Sequence, residues 1–321
     1  DRDKLFQKWF QDTLFFTAAA PPTGGRSEVT PRFTRHFNVM CVPPAADASV
    51  ALIFNSILKG FQQKGWSDEV KKLTDGIVQG TIDVYNRIST ELLPTPARFH
   101  YLFNLRDISK VFQGLLMSSY RKVNSVEGFG RLWIHEISRV FYDRLINTID
   151  QAWFENLVNE IQGKSIGASF DMKEIFNEKP IMFVEFLKPG MEPEDRFYEE
   201  AKDVAQIRKI LDDSLFDYNS EFPTQMNLVF FTDAIKHIVR VSRLLRQPRG
   251  NAMLIGVGGS GRQSTTRMAA FIGGMDLVGV VIVRGYGLIE FREDVKQFMI
   301  KAGVEGKPTV FLFTESQIVV E

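Results

Sequence analysis

The residues most suited to chemistry form a glycine-rich run, LIGVGGSGRQS at 254–264, between an apolar stretch and a helical pattern. Gly256 and Gly261 have the spacing of the phosphate loop G-x-x-x-x-G-K-[ST]. In such a loop, backbone N–H groups surround a phosphate chain, and the helix that follows adds positive potential. The residues expected to hold phosphates are Gly256, Gly258, Gly259, Ser260, Gly261, Arg262, Gln263 and Ser264.

Two side chains of this run depart from the phosphate-loop pattern. Arg262 stands where the pattern has Lys, and Gln263 stands where it has the Ser or Thr that holds Mg²⁺. Arginine supplies the charge on a longer, planar head, whereas glutamine is a poor Mg²⁺ ligand. Ser264 lies one residue too late. A glycine turn between strand and helix that binds no ligand is the alternative interpretation.

A second acidic position follows the apolar stretch TVFLFT at 309–314. In a Walker B strand, Asp and Glu come next; Asp binds the Mg²⁺ shell and Glu polarises the attacking water. Here Thr314 replaces the Asp and Glu315 occupies the Glu position. We therefore expect weak or no ATP hydrolysis, and no metal-ligand set is predicted. Glu315 as a solvated acid at a strand end is the alternative.

The elements that must position these residues alternate between strand and helix from residue 181 onward. Apolar runs at 180–186, 252–257, 277–283 and 309–314 predict strands, and helical patterns lie between them. This order predicts an α/β block with a parallel sheet and right-handed crossovers. Val310–Phe313 is expected in the same sheet as Met253–Gly256, with a helix beginning near Gly261 or Arg262.

The preceding parts of the chain have different patterns. Residues 46–163 show apolar positions at helical spacing only, which predicts an all-α block. Before it, Thr13–Thr17 and Phe37–Val42 predict strands, the second of which would bury Cys41. The predicted domains are therefore residues 1–45, 46–165 and 166–321.

The composition argues against nucleic-acid binding and against a membrane partner. Lys and Arg total 39 and so do Asp and Glu, so the net charge of zero argues against a nucleic-acid clamp. Apolar runs fall far short of the roughly 20 residues that span a bilayer, so no membrane partner is expected. A single cysteine excludes an internal disulfide and favours a reducing compartment.

Four stretches resemble the motor region of dynein heavy chains, and of the axonemal class in particular: residues 20–39, 101–116, 225–264 and 311–318. They are similar to the end of the third AAA+ module's large subdomain, its sensor II helix, the start of the fourth module and that module's Walker B region. The resemblance implies an AAA+ P-loop NTPase architecture, a parallel sheet flanked by helices plus a helical lid. The three predicted domains would be the end of the third module's large subdomain, its small helical subdomain and the first part of the fourth module.

The resemblance also assigns roles to single residues. It implies that Arg35 is an arginine finger for the preceding module and that Arg106 is the sensor II arginine. The stretch Asn227, Leu228 and Val229 would lie against the adenine. The implied cofactor is ATP or ADP, with Mg²⁺ lacking two of its usual protein ligands.

By this resemblance the chain is a fragment of the ATP-driven microtubule motor ring of an axonemal, inner-arm heavy chain in a cilium or flagellum. Its fourth module would be regulatory, and the fragment alone is not expected to be an active ATPase. Implied partners are the other ring modules, microtubules through the stalk, and light or intermediate chains through the tail. The alternative is a purely structural ring scaffold with a nucleotide-free P-loop.

Overall fold

The structure is a computed structural model that describes residues 7, 9–20, 27–167, 169–188, 190–192 and 195–318. The chain forms two compact units, residues 1–45 and residues 46–321, which are described separately. Residues 21–26 of the stretch that resembles the third module lie outside the described residues. Among the described helices, none is long and apolar enough to cross a membrane.

In the first unit, the described residues contain one short helix, α1 (Pro31–Thr34), and no strand. The strands predicted at Thr13–Thr17 and Phe37–Val42 are wrong, because both segments are irregular and expose their apolar side chains apart from the half-buried Phe37. Cys41 is exposed as well, contrary to its predicted burial. A strand takes its hydrogen bonds from a neighbouring strand, and the described part of this unit offers none.

The second unit begins with a helical block, as the apolar spacing predicts. Its six α-helices, α2 to α7, are Asp47–Phe61, Asp68–Lys72, Thr74–Glu91, Leu105–Leu115, Val126–Val140 and Thr148–Ser165. Short 3₁₀ turns lie at Pro96–Arg98 and Tyr142–Arg144. Side chains at the N-caps of α3, α5, α6 and α7 accept hydrogen bonds from first-turn N–H groups, which fixes where these helices begin.

The core of the helical block is aromatic. Trp133 of α6 is fully buried, and its indole Nε1–H donates to the Thr81 hydroxyl of α4 at 2.9 Å. Phe54 and Phe112 stack with ring centroids 4.4 Å apart, which joins α2 to α5. These contacts bury the large side chains that the helical pattern places on one face.

An α/β region follows the helical block. After a π-helical turn at Glu174–Glu178, its elements are β1 (Phe183–Val184), β2 (Glu199–Glu200), α8 (Val204–Glu221), α9 (Thr232–Arg246), α10 (Arg262–Ile272), β3 (Asp276–Val278), α11 (Leu288–Gly303) and β4 (Thr309–Phe311). Strands β3 and β4 are parallel, with Leu277 opposite Val310, and α11 connects them. This crossover confirms the predicted βαβ order.

The predicted strands are longer than the observed ones. The stretch 180–186 contributes only β1, which is antiparallel to β2, and the run 277–283 pairs only as far as Val278. Residues 252–257 are not in a strand, so the expected pairing of Met253–Gly256 with Val310–Phe313 is wrong. Met253 is 87% exposed and Ile255 is 83% exposed, because no described strand lies beside them.

A buried ionic cluster joins the helical block to the α/β region. Glu136 of α6 is fully buried; it accepts a hydrogen bond from the Tyr198 hydroxyl at 2.9 Å and is paired with the Arg243 guanidinium of α9. The carboxylate also lies against Gly114 of α5, where an added Cβ would come within 1.7 Å of Glu136 Oε2. Glycine at position 114 therefore makes room for the pair.

Candidate functional site

The glycine-rich loop leads directly into helix α10, as the sequence predicts. Gly259 and Gly261 have φ angles of +77° and +75°, which are left-handed conformations that favour glycine. Gly261 is the N-cap of α10, and the helix begins at Arg262. The first-turn N–H groups of α10 have no intrahelical acceptor, so they are available to an anion.

The loop leaves room for a phosphate chain. A Cβ added at Gly258, Gly259 or Gly261 would meet no heavy atom within 4 Å. The Ser260 N–H donates to the Val257 carbonyl at 3.3 Å, which closes the turn. Open space next to backbone donors at a helix N-terminus fits the phosphates of a nucleotide.

The three side chains that follow the loop differ in whether they form hydrogen bonds. The Arg262 Nη2 donates to the Val257 carbonyl at 3.2 Å, so the guanidinium lies against the loop's own backbone. Gln263 is exposed and Ser264 is half-buried, and no hydrogen bond of the described chain engages either side chain. The three side chains follow each other in the first turn of α10.

Glu315 lies just beyond β4, in a 3₁₀ turn at Glu315–Gln317, and is exposed. Gln317 fixes this turn: its Oε1 accepts from the Thr314 N–H at 2.7 Å and its Nε2 donates to the Val280 carbonyl at 2.6 Å. The turn is thereby tied to the chain that leaves β3. Sequence reasoning missed Gln317, although Thr-x-x-Gln is the capping pattern that would have indicated it.

The extended segment before α9 contains Asn227, Leu228 and Val229. Helix α9 itself packs against α10. The preceding Met226 is buried, and its backbone N–H donates to the Asn219 side chain at 2.7 Å. Asn227 and Val229 are exposed, whereas Leu228 packs against a hydrophobic core that α8, α9 and α10 form in the α/β region. No hydrogen bond among the described residues joins these three to the glycine loop.

The two arginines with implied roles are both exposed. In the first unit, the Arg35 Nε lies 3.1 Å from the His36 Nε2, just after α1. In the second unit, Arg106 is in the first turn of α5, and its backbone N–H donates to Asn104 Oδ1 at 2.9 Å. Its guanidinium forms no ion pair within the described chain. Asp107 instead contacts Lys110 and Arg144, so a local pair with Arg106 is absent.

Comparison with known families places three matches along the chain. The family described as "P-loop containing dynein motor region D4" matches residues 226–321, and the "AAA+ lid domain" family matches residues 77–180. The family described as "P-loop containing dynein motor region" matches residues 1–45. The chain thus has the architecture of an AAA+ motor, with P-loop regions and a helical lid, and such P-loop domains imply nucleotide binding.

The relatives with curated names are heavy chains of axonemal or flagellar dyneins, which narrows the family assignment. Dynein axonemal heavy chain 6 of Homo sapiens is 46% identical over 321 residues, which are 100% of this chain and 8% of that protein. Dynein axonemal heavy chain 1 of Mus musculus is 41% identical over 96% of this chain and 7% of its own length. The dynein-1-beta heavy chain, flagellar inner arm I1 complex, of Chlamydomonas reinhardtii is 40% identical over 100% of this chain and 7% of its own length.

The chain is therefore a homologue of axonemal dynein heavy chains and carries part of their motor region. It spans less than a tenth of the length of these relatives. The homology indicates the axoneme of a cilium or flagellum as the location of the protein.

Proposed function

We propose that the glycine loop is a regulatory nucleotide site, which binds ATP or ADP and hydrolyses ATP weakly or not at all. The observation that carries this proposal is the open loop at the N-terminus of α10, with Gly259 and Gly261 in left-handed conformations. The bound nucleotide supplies the phosphate chain and the bond that hydrolysis would break. Backbone N–H groups from Gly258 to Ser264, other than that of Ser260, which donates to the Val257 carbonyl, hold the phosphates.

The residue types at the site favour retention of nucleotide over turnover. Arg262 replaces a lysine, while Gln263 and Thr314 replace the Ser or Thr and the Asp that anchor Mg²⁺. Each lost transition-state contact of this kind lowers the rate by about 10²–10³. Glu315 remains as the acid that orients water. Backbone donors still bind a diphosphate when catalysis is lost, so binding and turnover separate.

The implied contacts complete the proposed site. Asn227, Leu228 and Val229 would lie on the base side of the nucleotide in the fourth module. Arg106 would contact the γ-phosphate of the third module's nucleotide, and Arg35 would reach the nucleotide of the module before it. Their exposed guanidiniums, which pair with no carboxylate of the described chain, leave both arginines available for these roles.

In the whole protein, the segment would belong to the motor ring of a microtubule motor of the inner-arm type. The inner-arm part rests on the name of the Chlamydomonas relative. The partners would be the remaining ring modules, microtubules through the stalk, and light or intermediate chains through the tail. The regulatory modules would pass rigid-body motion between the hydrolysing first module and the stalk.

The test is reversion of three positions in a full motor: Arg262→Lys, Gln263→Ser and Thr314→Asp together. The other modules are blocked by substitutions in their own phosphate loops. We expect the unmodified site to retain nucleotide without turnover and the triple variant to gain turnover. Turnover by the unmodified site at the rate of a working AAA+ module would contradict the proposal. The single variant Gln263→Asn serves as a matched control that restores no metal ligand.

A structural scaffold with a nucleotide-free loop is the second candidate function. It is favoured by one contact, the hydrogen bond from Arg262 to the Val257 carbonyl, which engages the cation with the protein itself. In the same blocked motor, chemical extraction and quantification of bound nucleotide separates the two functions. One nucleotide per motor, lost in Arg262→Gln, supports the nucleotide site; none in the unmodified protein supports the scaffold.

A further inference from the structure

A cavity of about 200 Å³ lies between α6 of the helical block and α9 of the α/β region, away from the glycine loop. We call it the α6–α9 cavity. Its charged and polar lining includes His135, Arg139, Tyr142, Lys236 and Arg240. The π-helical turn contributes two apolar side chains, Ile175 and Phe176, and the polar Asn177. A volume of this size holds several waters or a small solute.

The charges at the cavity are unbalanced. Three cationic side chains line it, with 14% of Arg139, 32% of Arg240 and 26% of Lys236 exposed. One largely buried carboxylate, Asp143, serves both arginines, at 3.1 Å from Arg139 and 3.0 Å from Arg240. Lys236 lies 3.4 Å from Asp233, but that carboxylate is 72% exposed to water. Cations withdrawn from water need anionic partners, so the cavity lacks negative charge.

Several buried polar atoms at the cavity also lack hydrogen-bond partners. His135 is buried; its Nδ1 contacts the Ile181 carbonyl at 3.1 Å and therefore carries the proton, while its Nε2 forms no hydrogen bond and lies 3.9 Å from the Glu136 carboxylate, which is itself paired with Arg243. The Nε of Arg240 and the Oδ1 of Asp143 form no hydrogen bond among the described residues either, and the Nε of Arg139 has only the ion-pair contact of 3.1 Å to Asp143 Oδ2. Buried polar groups nearly always have partners, so these atoms mark a place for a ligand or ordered water.

Burial and the neighbouring arginines lower the pKa values of two groups at the cavity, His135 and Arg139. The pKa of His135 is well below its usual value, first through burial and then through repulsion by Arg139 and Arg243. The imidazole is thus neutral, and its free Nε2 is an acceptor. The pKa of Arg139 is lowered by burial, and repulsion from Arg240 adds to this. A ligand that suits the cavity must bring negative oxygens for the arginines and one O–H donor for His135.

We propose that the α6–α9 cavity binds a small protonated oxyanion of the phosphate type. Its oxygens accept from Arg139, Arg240 and Lys236, and its hydroxyl donates to His135 Nε2. Phosphate at neutral pH carries both kinds of group, whereas sulfate has the charge and size without the hydroxyl. Free phosphate and the monoanion of an organic phosphomonoester, whose second pKa is about 6, both carry such a hydroxyl. The two differ in whether an organic group covers the apolar side chains that line the cavity.

The experiment is calorimetric titration of the chain with inorganic phosphate, glycerol 3-phosphate and sulfate at constant ionic strength. Arg240→Gln removes a cation of the cavity, and Arg262→Gln removes one from the glycine loop as a matched control. We expect phosphate to bind more tightly than sulfate, and Arg240→Gln to weaken it roughly 10–100-fold, the effect of a lost charged hydrogen bond. Arg262→Gln should change the affinity of the α6–α9 cavity for phosphate less than about twofold, since it alters phosphate binding only at the glycine loop and leaves the cavity intact.

Nitrogen-15 NMR of His135 gives a direct second measurement, because phosphate is expected to shift the Nε2 resonance and sulfate is not. Tighter binding of glycerol 3-phosphate than of phosphate identifies a phosphomonoester as the source. Loss of phosphate binding in Arg262→Gln alone, or equal binding of sulfate and phosphate, would overturn the proposal. If Arg240→Gln is unfolded by circular dichroism, Lys236→Gln replaces it with the same expectation. Nucleotide binding at the glycine loop, measured in parallel, should be unchanged in Arg240→Gln.

Discussion

The helical block and the region around the parallel strands differ in where their stabilising contacts come from. Each helix from Asp47 to Ser165 satisfies its backbone within the segment, and its apolar side chains meet in one core. Strands β3 and β4 have only each other in the described chain, and α11 buries no side chain fully. A helical module is thus complete over a short stretch of sequence, whereas a sheet depends on distant strands.

The starts of α9 and α10 differ from most helix starts of the helical block, although Asp203 caps α8 and no side chain caps α2 or α4. Asn104, Ser125 and Asn147 cap helices of the helical block with their side chains. The N-cap residues of α9 and α10 are Phe231 and Gly261, and neither forms a side-chain cap. At Gly261 this leaves first-turn N–H groups unengaged, which is the property that the proposed nucleotide site uses.

The largest difference in stability between the helical block and the region around the parallel strands should appear when a large side chain is truncated in each. We expect Trp133→Ala to lower the free energy of unfolding by about 3–5 kcal/mol, because it leaves a large cavity and removes the hydrogen bond from the indole to the Thr81 hydroxyl. Phe311→Ala, at a side chain 43% exposed, should cost about 1 kcal/mol or less. Urea titrations followed by circular dichroism measure both. Equal losses would mean that the two regions are equally well packed.

A smaller effect is expected from added volume at the junction of the regions. Gly114→Ala should destabilise the chain by about 1–3 kcal/mol, because its Cβ would collide with the Glu136 carboxylate. Gly163→Ala is the matched control within a helix; a Cβ there meets nothing within 4 Å, so a gain of about 0.5–1 kcal/mol is expected. The same urea titration decides. Destabilisation at both positions would point to a backbone effect rather than to the collision.

The buried histidine at the junction should make stability depend on pH. Because the folded-state pKa of His135 lies well below that of the unfolded chain, the unfolded state binds the extra proton first. Stability is therefore full above about pH 6.5 and decreases below it, by roughly 1.4 kcal/mol at pH 5.5. The measurement compares the chain with His135→Gln at pH 7.5 and 5.5, so that other groups cancel. An unchanged difference between the two proteins would show that His135 takes up a proton in the folded state.

The smallest expected effect tests the contrast in helix starts. Ser125→Ala removes the acceptor of the Gly128 N–H at the start of α6 and should cost about 1 kcal/mol. Thr232→Ala, at the uncapped start of α9, should change stability by less than about 0.5 kcal/mol. Thermal unfolding of the two variants under identical conditions provides the comparison. A larger loss of stability in Thr232→Ala than in Ser125→Ala would contradict the expectation that the start of α6 depends more on its side-chain cap.

Sequence reasoning succeeded where the information is local. The helices of the block and the start of α10 follow from apolar spacing and from the glycines of the loop. It failed at Phe37–Val42 and at Met253–Gly256, because apolar composition indicates a strand without supplying the partner that a strand requires. The contact that Gln317 makes with the chain after β3 could not be predicted for a related reason. It is a hydrogen bond to the Val280 carbonyl, which is distant in sequence.

The geometry of the Glu136–Arg243 pair has a mechanical consequence. A lysine would meet the carboxylate at one point, about which the two helices could swivel. The planar guanidinium instead presents Nε and Nη2 to the same carboxylate, so rotation about the contact is restrained together with separation. Motion of α9 is therefore passed to α6 as torque as well as displacement. This junction is therefore a stiff coupling between the helical block and the α/β region rather than a pivot.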